Sequence, residues 1–264
     1  MGFEFSAPTG PIIYFEIPGL PEGSVFKNLI TQTTVTLFVV TAALIAIAYF
    51  INRNIKKRPG RFQVIVEKLI NMLYGMVEET MGKHNMKFAP YIGTLFLSSI
   101  FCTLLGMTQV FRSATADISV TAAWALVTTG MVWYNNIKNF GFKAWLKGFT
   151  EPIVVMTPMN VVSEIANPVS MAFRHFGNVA GGSVLTALIY GALGAASSLL
   201  FSWLPGVLAD IPFLAAGIPA VLSIYFDLFS GFVQALVFSL LTMVYVGGAC
   251  PPPEELRKAP VEEE

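Results

Sequence analysis

The sequence predicts an all-α integral membrane protein with about five membrane helices and one amphipathic helix at the membrane surface. Of its 264 residues, 55% are hydrophobic and only 12% are charged, about half the charged fraction of a typical soluble domain. Several apolar runs approach or exceed the ~20 residues that an α-helix needs to span a bilayer. The formal net charge is zero, so the composition does not indicate a nucleic-acid partner, and no motif indicates a metal or another cofactor.

The first third of the chain predicts one membrane helix and the amphipathic helix. Residues 1–28 are rich in proline and lack a basic region, so we expect an external N-terminal segment without a signal peptide. Residues 29–51 are apolar and predict the first membrane helix, and five basic residues follow from Arg53 to Arg61. Apolar and charged residues then alternate at helical spacing over 61–87. This pattern is typical of a helix that lies on the membrane surface or against another subunit.

The middle of the chain, residues 90–147, predicts two membrane helices and an interfacial loop. The helices are expected at Pro90–Phe111 and Ile118–Tyr134, and the loop after them is rich in lysine and aromatic residues. The loops after the first and third spans carry five and three basic residues, whereas the loop after the second carries one. The positive-inside rule therefore places the N-terminus outside and the tail, residues 250–264, in the cytoplasm.

Two apolar stretches within residues 152–249 are too long for simple spans. Pro152–Leu204 and Val207–Ala249 contain only two charged residues each, and each would form at least about 60 Å of helix. A bilayer core is about 30 Å thick. Each stretch is therefore either broken into shorter helices or strongly tilted, and Pro205-Gly206 marks a hairpin turn between them.

Polar residues form a stripe along each of these two stretches, because residues three or four apart share a helix face. The first stripe consists of Asn167, Ser170, Arg174, Asn178 and Gly181. The second, at α-helical spacing, consists of Asp227, Gly231 and Gln234. A guanidinium at membrane depth costs a few kcal/mol and does not lose its proton, so Arg174 needs a partner or a function. The simplest alternative to a function is that Arg174 pairs with Asp227 and holds two helices together.

Other ionisable and reactive side chains have weaker patterns. Glu164 and His175 are eleven residues apart and lie on one flank of the predicted helix. Glu164 is a candidate for lining a water-filled path, and His175 is a candidate proton relay. His84 lies in a lysine-containing surface segment and is expected to be solvated. Cys102 and Cys250 are far apart and are expected to be small core residues without a disulfide.

The residues around Arg174 resemble the signature of subunit a of the bacterial F-type rotary ATP synthase. Residues 168–178, PVSMAFRHFGN, are similar to that family's P-V-S-L-x-L-R-L-F-G-N. Residues 234–245 are similar to its terminal Q-A-F-V-F-x-x-L-T-x-V-Y. Three earlier blocks also match, in the family's order, at residues 94–97, 104–106 and 116–121. The resemblance extends from about residue 59 to residue 249, and five ordered blocks are more specific than any one of them.

The resemblance implies a stator subunit whose last two helices form a long, strongly tilted hairpin against a ring of c subunits. It implies two aqueous half-channels, with Arg174 as the essential arginine, Asn178 and Gln234 as its polar neighbours, and Asp227 in the outer half-channel. Each ring carboxylate would release H+ or Na+ opposite the fixed cation, which couples ion flow to rotation and ATP synthesis. The implied subunit is not itself catalytic. Its expected partners are the c-ring, the peripheral-stalk subunit b and, indirectly, the F1 sector, in a bacterial cell membrane.

The sequence departs from the family pattern close to the arginine. Ser183 stands nine residues after Arg174, where most members have His or Glu, and His175 stands where Leu or Tyr is usual. Ser183 can line water but cannot titrate. Our hypothesis is that Glu164, Asp227 and His175 supply the missing polarity. A channel poor in protonatable groups also suits sodium, and the sequence does not decide between the two ions.

Three other classes of protein share part of the pattern. A secondary ion transporter of another family also has charges in long or broken membrane helices, but it predicts internal repeats that the sequence lacks. Gly181-Gly182-Ser183 suggests an intramembrane serine protease, but Val184 stands where a glycine is needed and no histidine follows His175. A pure assembly scaffold predicts that Arg174→Ala leaves ion transport intact.

Overall fold

The computed structural model describes residues 13–15, 30–108, 113–150, 153–200 and 224–253. Two short strands, β1 (Ile13–Phe15) and β2 (Ile30–Thr31), pair in antiparallel orientation. Seven α-helices are described: α1 (Gln32–Arg53), α2 (Arg61–Met81), α3 (Ala89–Met107), α4 (Ile118–Phe140), α5 (Phe142–Gly148), α6 (Thr157–Leu200) and α7 (Gly231–Gly248). The predicted turn at Pro205-Gly206 and most of the predicted N-terminal segment and tail lie outside the described residues.

The first two helices follow from the pattern of apolar and charged residues. α1 is apolar around its circumference and ends at Arg53, the first residue of the basic run. α2 is amphipathic, and its Val77 and Met81 are buried. Earlier in α2 the apolar side chains are on the surface, with exposed fractions of 57–60% for Phe62, Ile65, Leu69 and Met72. This exposed face suits a membrane surface or a partner subunit, as the periodicity predicts.

Two glycines end helices by adopting backbone angles that other residues avoid. Gly82 follows α2 with φ +79°, and its N–H donates to the Glu78 carbonyl at 2.9 Å. The predicted amphipathic segment 61–87 is therefore two elements, α2 and a 3-10 turn at Lys83–Phe88. Gly141 has φ +85° between α4 and α5. A side chain at either position is strained, because L-residues rarely adopt these angles.

α6 is a single helix of 44 residues, although it contains Pro168. Proline has no N–H, so the carbonyl of Glu164, four residues earlier, lacks its α-helical donor. Apolar helices tolerate such a position when neighbouring groups take over the lost bond. Of the two possibilities for this stretch, α6 is the unbroken one. At 1.5 Å per residue its length is about 66 Å, twice the thickness of a bilayer core.

Four of the described helical segments are long and apolar enough to cross a membrane, by length and composition. They are Gln32–Arg53, Lys83–Met107, Val154–Ser197 and Leu228–Gly248. The all-α integral membrane fold class is therefore confirmed. α4 has 23 residues but is less apolar, and it is not among these four. Its role as a further span stays a prediction.

The described residues belong to two compact units. The second unit consists of Ala42–Ser98, Ile118–Arg174 and Ala235–Glu264. Its core contains two clusters of buried apolar side chains, the larger one around Val77, Ile92, Met243 and Val246 and the smaller one around Leu95, Ala125, Met171 and Phe238. The larger cluster therefore packs α2, α3 and α7 against one another.

The first unit consists of Met1–Thr41, Ser99–Asp117 and His175–Gln234. Its described contacts are mainly polar. The Thr33 hydroxyl donates to a carboxylate oxygen of Asp117 at 2.9 Å, and the Thr103 hydroxyl donates to the Ser99 carbonyl at 3.0 Å. The first of these bonds joins α1 to the segment before α4, and the second is internal to α3.

Candidate functional site

Arg174 lies near the middle of α6 with its side chain exposed on the surface of the chain. Ala172, on the opposite side of the helix, is buried, and so is Met171, one turn before Arg174. No described residue forms a hydrogen bond or an ion pair with Arg174. The guanidinium therefore lies on the surface of α6, next to Phe173, which is 55% exposed. A cation in this setting is available to an acidic group of another subunit.

Asp227, the alternative partner of Arg174, lies in a π-helical segment, Ile224–Ser230, that directly precedes α7. Single π-helical turns are rare and often occur at functional sites. Because a π turn holds more residues than an α turn, the angles between Asp227 and the α-helical residues Gly231 and Gln234 differ from those of a continuous α-helix. The side chains of Asp227 and Ser183 lie outside the described part of the structure, so the pairing of Asp227 with Arg174 stays untested.

Asn178 and Gln234 are brought together by the fold. The Asn178 side-chain amide, one turn after Arg174 on α6, donates to the Gln234 side-chain oxygen at 2.6 Å. Gln234, on α7, is only 4% exposed. Its side-chain nitrogen has no hydrogen-bond partner among the described groups. A buried amide donor of this kind is costly to leave unsatisfied.

His175 is packed inside the first unit. Its side chain is 1% exposed, and its Nε2 lies 3.1 Å from the Ser99 hydroxyl on α3. The sequence did not indicate Ser99 as a partner of His175, because Ser99 lies in an apolar run without a functional motif. The contact links α3 to the α6 residue next to Arg174.

Gly231, the first residue of α7, is in close contact with α3. A Cβ atom at this position would overlap the methyl group of Thr103. Thr103 itself is 8% exposed. Only glycine therefore permits this approach of the α7 backbone to α3. Sequence reasoning placed Gly231 in a stripe of small and polar residues but did not find this packing role.

Glu164 lies in different surroundings, ten residues before Arg174. One of its carboxylate oxygens accepts a hydrogen bond from the Trp133 indole N–H at 2.5 Å. Trp133 is on α4, and both residues line a cleft of about 310 Å³. The remaining walls are mostly aromatic and aliphatic, so the carboxylate is held at the edge of an apolar cleft.

The fold and the site define a multi-pass membrane protein that carries a permanent cation and an amide pair on its apolar helices, as ion-translocating subunits do. The sequence model of the family described as ATP synthase A chain matches residues 34–247. The chain therefore belongs to this family, subunit a of the F-type ATP synthase.

Several relatives support the same assignment over most of the chain. The sodium-ion-specific ATP synthase subunit a of Propionigenium modestum is 31% identical over 267 residues, which cover 91% of this chain and 85% of the relative. The ATP synthase subunit a of Desulforamulus reducens is 32% identical over 234 residues, or 88% of this chain and 82% of the relative. That of Anoxybacillus flavithermus is 30% identical over 227 residues, or 83% and 88%.

Membership of the family confirms the resemblance found in the sequence. The protein is a non-catalytic, ion-translocating subunit of the Fo sector, which contains the c-ring, in a bacterial membrane. Family membership sets aside a secondary transporter of another family and a protease, whereas the scaffold alternative is tested by a variant of Arg174.

Proposed function

We propose that Arg174 is the fixed cation that displaces the transported ion from the carboxylate of each passing c subunit. The observation that supports this role is the exposed position of its side chain on α6, without an ionic partner among the described residues. A positive charge nearby stabilises the ionised form of a carboxylate. The ring carboxylate therefore gives up H+ or Na+ as it approaches Arg174 and binds another ion after it has passed.

A guanidinium suits this task because it stays charged at all physiological pH values. A lysine or histidine would be able to lose its proton in an apolar setting. It would then carry protons between the two half-channels without rotation. Arg174 thus both favours ion release and blocks a direct leak.

Asn178 and Gln234 are proposed to orient the charge and receive the ring carboxylate. Their mutual hydrogen bond of 2.6 Å holds both amides in place. The exposed Asn178 would donate its second amide hydrogen to the ionised carboxylate, and the buried Gln234 would hold Asn178 in position. Charge-assisted hydrogen bonds of this kind are about twice as strong as neutral ones.

The remaining polar residues are assigned to the two half-channels. Ser183 and Asp227 would line the outer half-channel, as the family resemblance implies. Glu164 would provide a carboxylate at the other end of the path, since it lies ten residues before Arg174 on α6. His175, buried against Ser99, would contribute by holding the helix next to Arg174 and, when accessible to water, as a relay.

The proposal also covers the orientation of the chain in the membrane, its partner subunits and the transported ion. The N-terminus lies outside and the C-terminus in the cytoplasm, because the basic residues are concentrated in the first and third loops. The exposed apolar face of α2 suits the peripheral-stalk subunit b, through which the F1 sector is held indirectly. The transported ion is H+ or Na+. Because one relative is sodium-ion-specific, uptake should be measured both with and without sodium.

The main experiment measures ATP-driven ion uptake in proteoliposomes that contain the whole complex, with and without sodium. Arg174→Gln keeps a polar side chain but removes the charge, and we expect uptake to fall at least a hundredfold, or about 3 kcal/mol. Arg61→Gln, at the start of α2, is the matched control and is expected to keep normal uptake. Normal uptake in Arg174→Gln would refute the proposed role and favour a scaffold.

A second set of variants tests the half-channel assignments. Glu164→Gln, Asp227→Asn and His175→Leu are each expected to reduce uptake about tenfold, equivalent to about 1.4 kcal/mol in the barrier. If all three variants keep wild-type uptake, these residues do not replace the polarity missing at Ser183. The assignment of Arg174 would be unaffected by that result.

A further inference from the structure

The cleft beside Glu164 has the chemical composition of a site for an organic cation. It lies between α4, α5 and the beginning of α6 and has a volume of about 310 Å³, at the lower end of the range for small-ligand sites. Trp133, Trp145 and Phe149 provide aromatic walls, and Val161 provides an aliphatic one. Glu164 is its acidic group. An apolar cleft with aromatic faces and one carboxylate favours a positively charged ligand.

The aromatic walls are held in a packed arrangement. The Trp145 ring lies 6.3 Å from Trp133, 6.0 Å from Phe142 and 5.1 Å from Phe149, measured between centroids. These separations are typical of favourable aromatic pairs. The cleft is therefore formed before any ligand binds, which reduces the entropic cost of binding.

The carboxylate of Glu164 is held in place by a hydrogen bond but has no cationic partner among the described residues. Its Oε1 accepts the indole N–H of Trp133 at 2.5 Å, which fixes the group at the wall of the cleft. No described residue forms an ion pair with it. A charged carboxylate next to apolar walls is stabilised by a cation that donates hydrogen bonds to the other oxygen.

Positive charges lie on the helix that borders the cleft. Lys143 and Lys147 are one turn apart on α5, and both are exposed. Lys143 precedes the cleft-lining Leu146 by three residues and so shares its helix face. Tryptophan and lysine at this spacing are typical of the headgroup level of a membrane. A ligand bound here would meet an anion inside the cleft and cations near its rim.

We propose that this cleft binds the headgroup of phosphatidylethanolamine. The primary ammonium group lies against Glu164 and the aromatic faces, and the phosphate lies towards Lys143 and Lys147. Phosphatidylglycerol has no cation for Glu164, and the trimethylated ammonium of phosphatidylcholine has no N–H to donate to it. The inference goes beyond the proposed function and gives Glu164 a role different from the half-channel one. The two roles are distinguished because lipid retention and ion uptake are measured separately.

Native mass spectrometry of the purified complex tests the site directly. The complex is incubated with phosphatidylethanolamine, phosphatidylcholine or phosphatidylglycerol of identical acyl chains, and the retained lipid is counted. We expect phosphatidylethanolamine to bind about tenfold more tightly than phosphatidylcholine, the difference that a charge-assisted hydrogen bond provides. Glu164→Gln should remove this preference, and Trp145→Ala should weaken the binding of both lipids.

Two matched variants serve as controls. Glu79→Gln removes an exposed carboxylate of α2, and Tyr49→Ala removes a 65% exposed aromatic side chain of α1. Both should leave the lipid preference unchanged. Equal retention of the two lipids by the wild type would overturn the proposal, as would an unchanged preference in Glu164→Gln.

A photoreactive phosphatidylethanolamine provides a second measurement on the unmodified protein. Its reactive group, attached beside the headgroup, should label peptides that contain Phe149 and Val161, and excess unlabelled phosphatidylethanolamine should prevent the labelling. Labelling confined to other peptides would refute the site without the need for any variant.

Discussion

The two compact units bury different kinds of side chain. Among the described residues, the first unit buries mainly polar groups, including Ser99, Thr103, His175 and Gln234. The second unit buries mainly apolar groups in two clusters, with Met243 and Val246 fully enclosed in the larger one. Burying polar groups costs free energy unless they find partners, so a unit built this way is rarely optimised for stability alone.

The difference indicates a division of tasks within one chain. Apolar packing in the second unit supplies stability, as close-packed interiors do. The first unit contains the Asn178–Gln234 amide pair and the Ser99–His175 contact, and its buried polar groups are candidates for ion translocation. Variants in the two units test this division, because they should separate the stability of the complex from its ion uptake.

Met243→Ala should mainly affect stability. Met243 is fully buried, and removing its side chain leaves a cavity that costs about 2 kcal/mol or more. We expect the thermal stability of the complex and the yield of assembled complex to fall, whereas ion uptake per assembled complex stays normal. Val244→Ala is the matched control, because Val244 is the next residue on α7 and is 55% exposed. Reduced uptake in fully assembled Met243→Ala complexes would contradict the division.

Gly231→Ala should produce a smaller loss of stability in the first unit. The new methyl group overlaps Thr103, and overpacking of this kind costs about 1–2 kcal/mol. The double variant Gly231→Ala with Thr103→Ala should recover part of the loss, as measured by thermal unfolding. Gly191→Ala on α6 is the control, since a Cβ atom there meets no other group within 4 Å. The absence of any rescue would mean that this contact does not determine the packing of α3 and α7.

Gln234→Leu should affect ion uptake but not stability. A leucine removes a buried amide nitrogen that lacks a partner among the described groups, but it also removes the oxygen that accepts the hydrogen bond of Asn178. These effects oppose each other, so stability is expected to change little. Ion uptake should fall about tenfold, or about 1.4 kcal/mol, because Asn178 loses the partner that orients its amide. Gln63→Leu on α2, in the second unit, is the control. A destabilised Gln234→Leu complex with normal uptake per complex would reverse the interpretation of this residue.

The sequence predicted the fold class with little ambiguity. Long apolar runs leave few structures other than membrane helices, because backbone groups in lipid must be hydrogen-bonded internally. Arg174 stands out for a related reason, since a charge that cannot be lost is costly in an apolar helix. Both inferences depend on local composition, which tertiary packing does not change.

The paths of the two long stretches were less predictable. The sequence left open whether Pro152–Leu204 breaks into shorter helices or is strongly tilted, and α6 continues through Pro168. It also assumed α-helical spacing around Asp227, where the chain is π-helical over Ile224–Ser230. One lost or shifted hydrogen bond decides such cases, and neighbouring helices determine whether the loss is tolerated.

By itself, the sequence determined that this chain is a multi-pass membrane protein with a permanent cation at Arg174 and a family signature around it. Only the tertiary structure decided that Asn178 bonds to Gln234, that His175 is packed against Ser99, and that Glu164 accepts a bond from Trp133. These pairs are 56, 76 and 31 residues apart in the chain. Helical periodicity indicates which residues share a face of one helix, whereas the contact partner on another helix depends on how the helices pack.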